Sequence, residues 1–328
     1  MLRSDTALHP PVSRPRTTGQ LAVSDGHVLW WEEIGAEEGI PLLVLHGGPG
    51  GRIAPYYRRL PDPARHRAVF FEQRGCGRST PTASLEHNDT WRLVEDIERL
   101  RVARNIERWI VLGGSWGSTL ALAYAQKYPQ SVSALLLSGV FLARTEDIDW
   151  WWEGSRRVFP DTTARRDEFL PPDERVTPRE SYLRRILHPD PAVHAPAAQM
   201  LMLAEFATLE LWPSLMLEDP DTLDPLTVGA GRMMAHYDHN RFFLAENQLI
   251  RDSHKLAGIP GEIIAGRADI CTPPKAAFDL SRAWAGSHLT IVPAAGHRWN
   301  DEMLCRDLLA ALGRLTDRVA AMSSDGAR

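Results

Sequence analysis

Short, nearly continuous apolar runs recur along the first part of the chain and return near its end, with amphipathic stretches between them. Pro41–Leu45, Ala68–Phe71, Trp109–Leu112 and Ala134–Leu137 are too short for helices and are bounded by glycine or polar clusters. Such runs predict strands buried on both faces. Gly261–Ala265 and Leu289–Val292 repeat the pattern. Leu21–Glu33 predicts a hairpin turned at Asp25-Gly26, a dipeptide suited to a tight connection. Thr90–Arg104 places Leu93, Ile97 and Leu100 on one helical face. Strands spaced by roughly 20–30 residues with helices between them build a mostly parallel α/β sheet. Between about Val140 and Leu249 the strand-like runs vanish, replaced by Trp-, Met- and Arg-rich helical pieces broken by proline, such as Ala197–Leu211. The expected layout is an N-terminal extension (1–20), a core begun by 21–140, a helical insertion over 141–249, a core completed by 250–318, and a flexible tail (319–328).

The run Trp109–Leu112 ends in Gly113-Gly114-Ser115-Trp116-Gly117, and the helix-forming Thr119–Ala123 follows at once. A glycine-flanked serine between strand and helix is a nucleophile elbow. The serine occupies a strained turn that projects its Oγ beyond the sheet. Its neighbours two residues away must be small, because strand and helix backbones nearly collide there. The following helix directs its first N–H groups toward a developing oxyanion.

A serine nucleophile needs a base, and the base an orienting carboxylate. Asp269 follows the strand Gly261–Ala265, and His297 follows Leu289–Val292 after Pro293-Ala294-Ala295-Gly296. Both fall on the sheet edge that carries Ser115, in the order Ser, acid, His. The remaining histidines lack that position, including His236 and His239. Two backbone N–H groups are expected to hold the oxyanion: that of Trp116, and that of Gly48 in His46-Gly47-Gly48-Pro49-Gly50. Gly75-Cys76-Gly77 lacks the Lys-Ser/Thr continuation of a phosphate loop.

Composition narrows the function classes. With 44% hydrophobic and 24% charged residues, the 328-residue chain reads as an ordinary globular protein. A net charge of −5 argues against nucleic-acid or anionic-membrane surfaces. No apolar stretch is long enough to span a bilayer, and residues 1–20 lack the apolar segment of a secretory leader. The three cysteines, Cys76, Cys271 and Cys305, are too few and too scattered for a disulfide framework or a zinc site. A cytoplasmic location with buried free thiols is expected. Trp150-Trp151-Trp152 cannot all face inward from one helix.

These features together resemble the proline iminopeptidases, α/β-hydrolase serine peptidases that release N-terminal proline. The likeness rests on His46–Gly51, Glu72–Pro81, Gly113–Leu122, Thr90-Trp91, Asp96–Arg101, Tyr124–Gln126, Asn247–Asp252 and the spacing to Asp269 and His297. It runs from about Val23 to Leu312. The resemblance implies an α/β-hydrolase fold with a helical cap, an apolar proline pocket, no cofactor, and cap glutamates that anchor the substrate's ammonium. Glu205, in Ala204–Thr208, matches the first such glutamate. The second belongs to a stretch the family writes close to R-I-E-N-H-Y. Here the chain reads Arg232-Met233-Met234-Ala235-His236-Tyr237, so Met234 stands where the carboxylate should be. Glu72 replaces the usual aspartate before Gln73-Arg74-Gly75, and Arg298-Trp299 follow His297 where the family has a small residue. Glu246 or Glu210 could restore the missing carboxylate, although a solvated helix face is the plainer place for both.

The expected activity is therefore a serine hydrolase that releases proline or another small residue from peptides through an acyl-enzyme. A diverged amide or ester hydrolase for a larger, less cationic metabolite is the alternative, with Met234 lining its pocket. A non-hydrolytic binding protein on the same fold is a third reading, opposed by the complete set of catalytic residue types. The expected partner is a small peptide, amide or ester, without nucleic acid or membrane.

Overall fold

A computed structural model describes residues 10–209, 211 and 224–325. Its centre is an eight-stranded sheet in the order β1-β2-β4-β3-β5-β6-β7-β8. The strands are β1 (Thr17–Ala22), β2 (Val28–Gly35), β3 (Ile40–Leu45), β4 (His66–Phe71), β5 (Trp109–Ser115), β6 (Val132–Val140), β7 (Gly261–Gly266) and β8 (Ser287–Val292). β1 and β2 are antiparallel, and every pairing from β4 to β8 is parallel. Side chains alternate across the parallel strands, as the pleat requires. Leu43, Leu45, Val69, Val111, Leu135 and Leu137 enter one apolar cluster. Leu42, Val44, Ala68, Ile110, Leu112, Ala134 and Leu136 enter the other. Helices α1 (Thr90–Ala103), α2 (Trp116–Lys127) and α9 (Pro274–Ala283) cover the first face, and α10 (Glu302–Asp325) covers the second.

Between β6 and β7 the described residues form helices and turns: α3 (Thr145–Trp152), α4 (Pro160–Glu168), α5 (Pro178–Ile186), α6 (Pro191–Thr208), α7 (Pro225–His239) and α8 (Gln248–Arg251). They pack over the edge of the sheet where the parallel strands end. Direct bonds fasten this cap to the core. Tyr237 donates its hydroxyl to Asn88 Oδ1 at 2.9 Å, Thr90 Oγ1 donates to the Phe242 carbonyl at 2.5 Å, and Trp91 Nε1 donates to the Phe243 carbonyl at 2.9 Å.

Several local features differ from the sequence pattern. β1 starts at Thr17, and the hairpin is joined by Val23–His27 rather than by two residues. Asp25 and Gly26 do take positive φ values of 61° and 77°, and Arg74 and Arg92 hold the Asp25 carboxylate. α6 begins six residues before Ala197 and keeps Pro196 inside it. A proline in the second turn loses its N–H bond and crowds the carbonyl four residues back, and tight packing of Ala197, Ala198 and Leu201 offsets that loss. α10 continues to Asp325, beyond the start expected for a flexible tail. Leu308, Leu312 and Leu315 pin it to the sheet, and Ala320-Ala321-Met322 are good helix formers. No helix among the described residues is long and apolar enough to cross a membrane. Cys76, Cys271 and Cys305 are free and buried.

Candidate active site

Ser115 ends β5 with φ 56° and ψ −130°, a conformation that non-glycine residues avoid. The crowding that forces this turn is visible around it. A Cβ on Gly113 would overlap the Gly117 carbonyl oxygen, and one on Gly117 would lie 2.6 Å from the Leu45 carbonyl oxygen. Trp116 opens α2, so its N–H has no carbonyl one turn earlier to bond. The loop after β3 comes up against the serine. Gly48 adopts φ 121°, and a Cβ there would lie 2.6 Å from the amide nitrogens of both Gly50 and Gly51. Only glycine fits that turn.

Asp269 and His297 come from the loops after β7 and β8. His297 Nδ1 donates to Asp269 Oδ2 at 2.8 Å. Asp269 is buried and takes two further bonds at 2.8 Å, from the Thr272 backbone N–H and the Thr272 hydroxyl. A carboxylate saturated in this way is fixed in orientation. Burial alone would depress the His297 pKa. The charge and hydrogen bond of Asp269, helped by Glu205, override burial and hold it above its ordinary value.

Ser115, His297, Gly48 and Glu205 line one cleft of about 470 Å³, together with Arg52 and Trp299. A narrower apolar recess opens behind Ser115, walled by Phe141, Trp151, Met234 and Phe242 and reached by Glu205. Two of the three consecutive tryptophans serve this region in different ways. Trp151 lines the recess, while Trp152 is buried and donates Nε1 to Asp238 Oδ2 at 2.7 Å. Trp150 turns away and donates to the Ile270 carbonyl at 2.7 Å.

Glu205 is the unusual group. Its Oε2 is inaccessible and has no hydrogen-bond partner among the described residues. Burial pushes its pKa up to about 7, against a smaller downward pull from His297. Met234 borders the same recess, as its place in the sequence suggested. Glu246 does not reach it: its carboxylate accepts from the Thr145 backbone and hydroxyl on the exterior. Glu210 lies outside the described residues. The second carboxylate that borders the recess is Asp238, which sequence reasoning missed. It stands one helical turn beyond Met234, and that spacing could have flagged it. Arg179 pairs with it at 2.5 Å, so its charge is already compensated. Thr272 was also missed.

The two departures beside the motifs have structural roles. Glu72 accepts from the Arg78 backbone N–H at 2.6 Å and from its guanidinium at 3.0 Å. Trp299 is buried against Tyr57, with ring centroids 4.9 Å apart.

Comparison with known proteins agrees with this architecture. Residues 40–300 match the alpha/beta hydrolase fold family. A proline iminopeptidase of Xylella fastidiosa (strain Temecula1) is 44% identical over 292 residues, covering 88% of this chain and 93% of that one. A proline iminopeptidase of Arabidopsis thaliana is 41% identical over 307 residues, covering 93% and 80% respectively. Among solved structures, the proline iminopeptidase of Mycobacterium smegmatis superposes with a TM-score of 0.61 at 21% identity, covering 94% of this chain and all of that one. An esterase from Rhodococcus sp. ECU1013 superposes at 0.60 and 15%, covering 92% and 99%. These structural likenesses speak for the fold alone. The sequence relationships go further: the chain belongs to the proline iminopeptidase family of α/β hydrolases.

Proposed function

We propose that the protein is a prolyl aminopeptidase in which Ser115 is the nucleophile, His297 the general base and Asp269 its orienting partner. The 2.8 Å bond from His297 to a saturated, buried Asp269 carries this reading, beside a serine held in the strained elbow turn. His297 takes the Ser115 proton as Oγ attacks the scissile carbonyl. The charge on the carbonyl oxygen falls to the N–H groups of Gly48 and Trp116. His297, now protonated, gives that proton to the leaving amine. The acyl-enzyme is then hydrolysed by water that His297 deprotonates. The apolar recess suits a proline ring. Glu205 is the group to meet the substrate's ammonium, because a lone carboxylate shielded from water gains most from a cation.

One observation favours a broader substrate range. Met234 adds an apolar wall where a second carboxylate would strengthen the demand for a free amine, and Asp238 is neutralised by Arg179. Rates on a prolyl arylamide, its N-acylated form and a simple aryl ester test the assignment. A strict requirement for the free amine supports the aminopeptidase. Equal turnover of the acylated substrate overturns it in favour of a general amide or ester hydrolase.

A further inference from the structure

Three strand ends meet beneath the serine through one side chain, Gln73, which follows β4. Its Oε1 accepts the indole N–H of Trp116 at 2.8 Å. Its Nε2 donates to the His46 carbonyl at 2.9 Å, and its backbone N–H donates to His46 Nε2 at 3.1 Å. His46 Nε2 therefore holds a lone pair, and Nδ1 carries the proton that goes to the Gly47 carbonyl at 2.8 Å. All three residues are buried: Gln73 at 2% exposure, His46 at 1% and Trp116 at 0%. The orientation of the amide is not free. Trp116 can only donate and a carbonyl can only accept, so a flipped amide would break both bonds at once.

We propose that Gln73 is a positioning residue that sets the spacing between the two oxyanion donors, Gly48 and Trp116. This rests on the assignment of those donors above. His46 begins the loop that carries the Gly48 N–H, and Trp116 supplies the other N–H. The two lie on separate elements, β3 with its loop and α2, and Gln73 clamps one to the other across the sheet edge. Burial keeps His46 neutral, which preserves the acceptor at Nε2. Neutral His46 and the Gln73 amide thus form one rigid unit. A tetrahedral oxyanion is shorter-lived and more demanding in geometry than a bound substrate, so the clamp acts on the transition state more than on binding.

The test replaces Gln73 with Met, close in size but unable to make either side-chain bond. Readouts are kcat and KM on a prolyl arylamide, the affinity for a prolyl boronic acid, the affinity for free proline, and the labelling rate with a fluorophosphonate. A displaced donor costs on the order of 10- to 100-fold in rate. We expect Gln73→Met to lower kcat by that range with KM nearly unchanged. Boronate affinity and labelling rate should fall in parallel, while proline binds as before. Trp116→Phe, which removes the indole N–H together with the pyrrole part of the ring, should give part of the loss, and the double variant should be no worse than Gln73→Met alone. Unchanged kcat in folded Gln73→Met overturns the proposal. So does a loss of thermal stability and of proline affinity with boronate affinity intact, the pattern of a merely structural amide. If Gln73→Met does not fold, Trp116→Phe decides by the same boronate-against-proline comparison. Aryl ester turnover and labelling need no amine, so a Gln73 effect there stands even where the prolyl substrate assignment fails. Ester turnover retained by Ser115→Ala marks the failure of the nucleophile assignment instead.

Discussion

Glu205 offers a direct trade between stability and substrate capture. Its carboxyl is lifted from an ordinary value near 4.5 to about 7, chiefly by burial. Below pH 4.5 the group is neutral in folded and unfolded chains alike, so folding is unaffected. As pH rises from 4.5 to 7 the unfolded chain ionises while the folded one does not, and stability is lost progressively. Above 7 the loss is complete. A lift of this size corresponds to ~3 kcal/mol, trimmed to about 2–3 kcal/mol because part of the side chain faces the cleft. Glu205→Gln removes the charge and keeps the shape. The variant should therefore match the parent near pH 4.5 and exceed it by about 2–3 kcal/mol at pH 8. Urea unfolding at the two pH values measures this. The same variant should lose a free-amine substrate's affinity by ~30-fold or more at pH 8, since the ammonium then meets no carboxylate. A stability difference that does not change with pH, or a Glu205→Gln protein less stable than the parent at pH 8, would refute the reasoning.

Other outcomes follow from the same geometry. Met234→Glu should raise kcat/KM on free-amine substrates by roughly 30-fold or more, since a second carboxylate then faces the ammonium; an unchanged ratio of free to acylated prolyl arylamide would show that position 234 does not meet the amine. Ser115→Ala should abolish both turnover and fluorophosphonate labelling, scored by mass spectrometry of the intact protein. On an aryl ester without an amine, the acid limb of kcat/KM should lie above 6.5 because Asp269 holds the His297 pKa up. Asp269→Asn should move that limb to lower pH and reduce kcat by about 10⁴-fold; a limb that stays in place would detach it from His297.

Much of this was readable from the chain because the rules involved are local. A four-residue apolar run ending in Gly-Gly-Ser can hardly be anything but a strand feeding an elbow, since Gly113 and Gly117 answer a collision within one turn of chain. Asp269 and His297 were found by their places just after strands, which parallel sheets bring to one edge. Gln73 and the pairing of Asp238 were opaque for the opposite reason. Each matters through a partner set by packing: Trp116 lies 43 residues from Gln73, and Arg179 lies 59 from Asp238. Neither periodicity nor motif spacing encodes such pairings. The helix through Asp325 was missed because short polar residues there masked the anchoring supplied by Leu308, Leu312 and Leu315.

Helix α7 divides its labour by face. Ala230 lies over Gly50, Met233 reaches Gly50 and Gly75, and His236 and Tyr237 bond to Asn88, so these residues seat the helix on the core. Met234 and Asp238 look the other way, into the recess. Position 234 can therefore change without unseating the first set. A single substitution at 234 changes the polarity that a bound molecule meets, while the docking residues hold the backbone in register. A change at 234 is thus a route to a different substrate that leaves folding almost untouched.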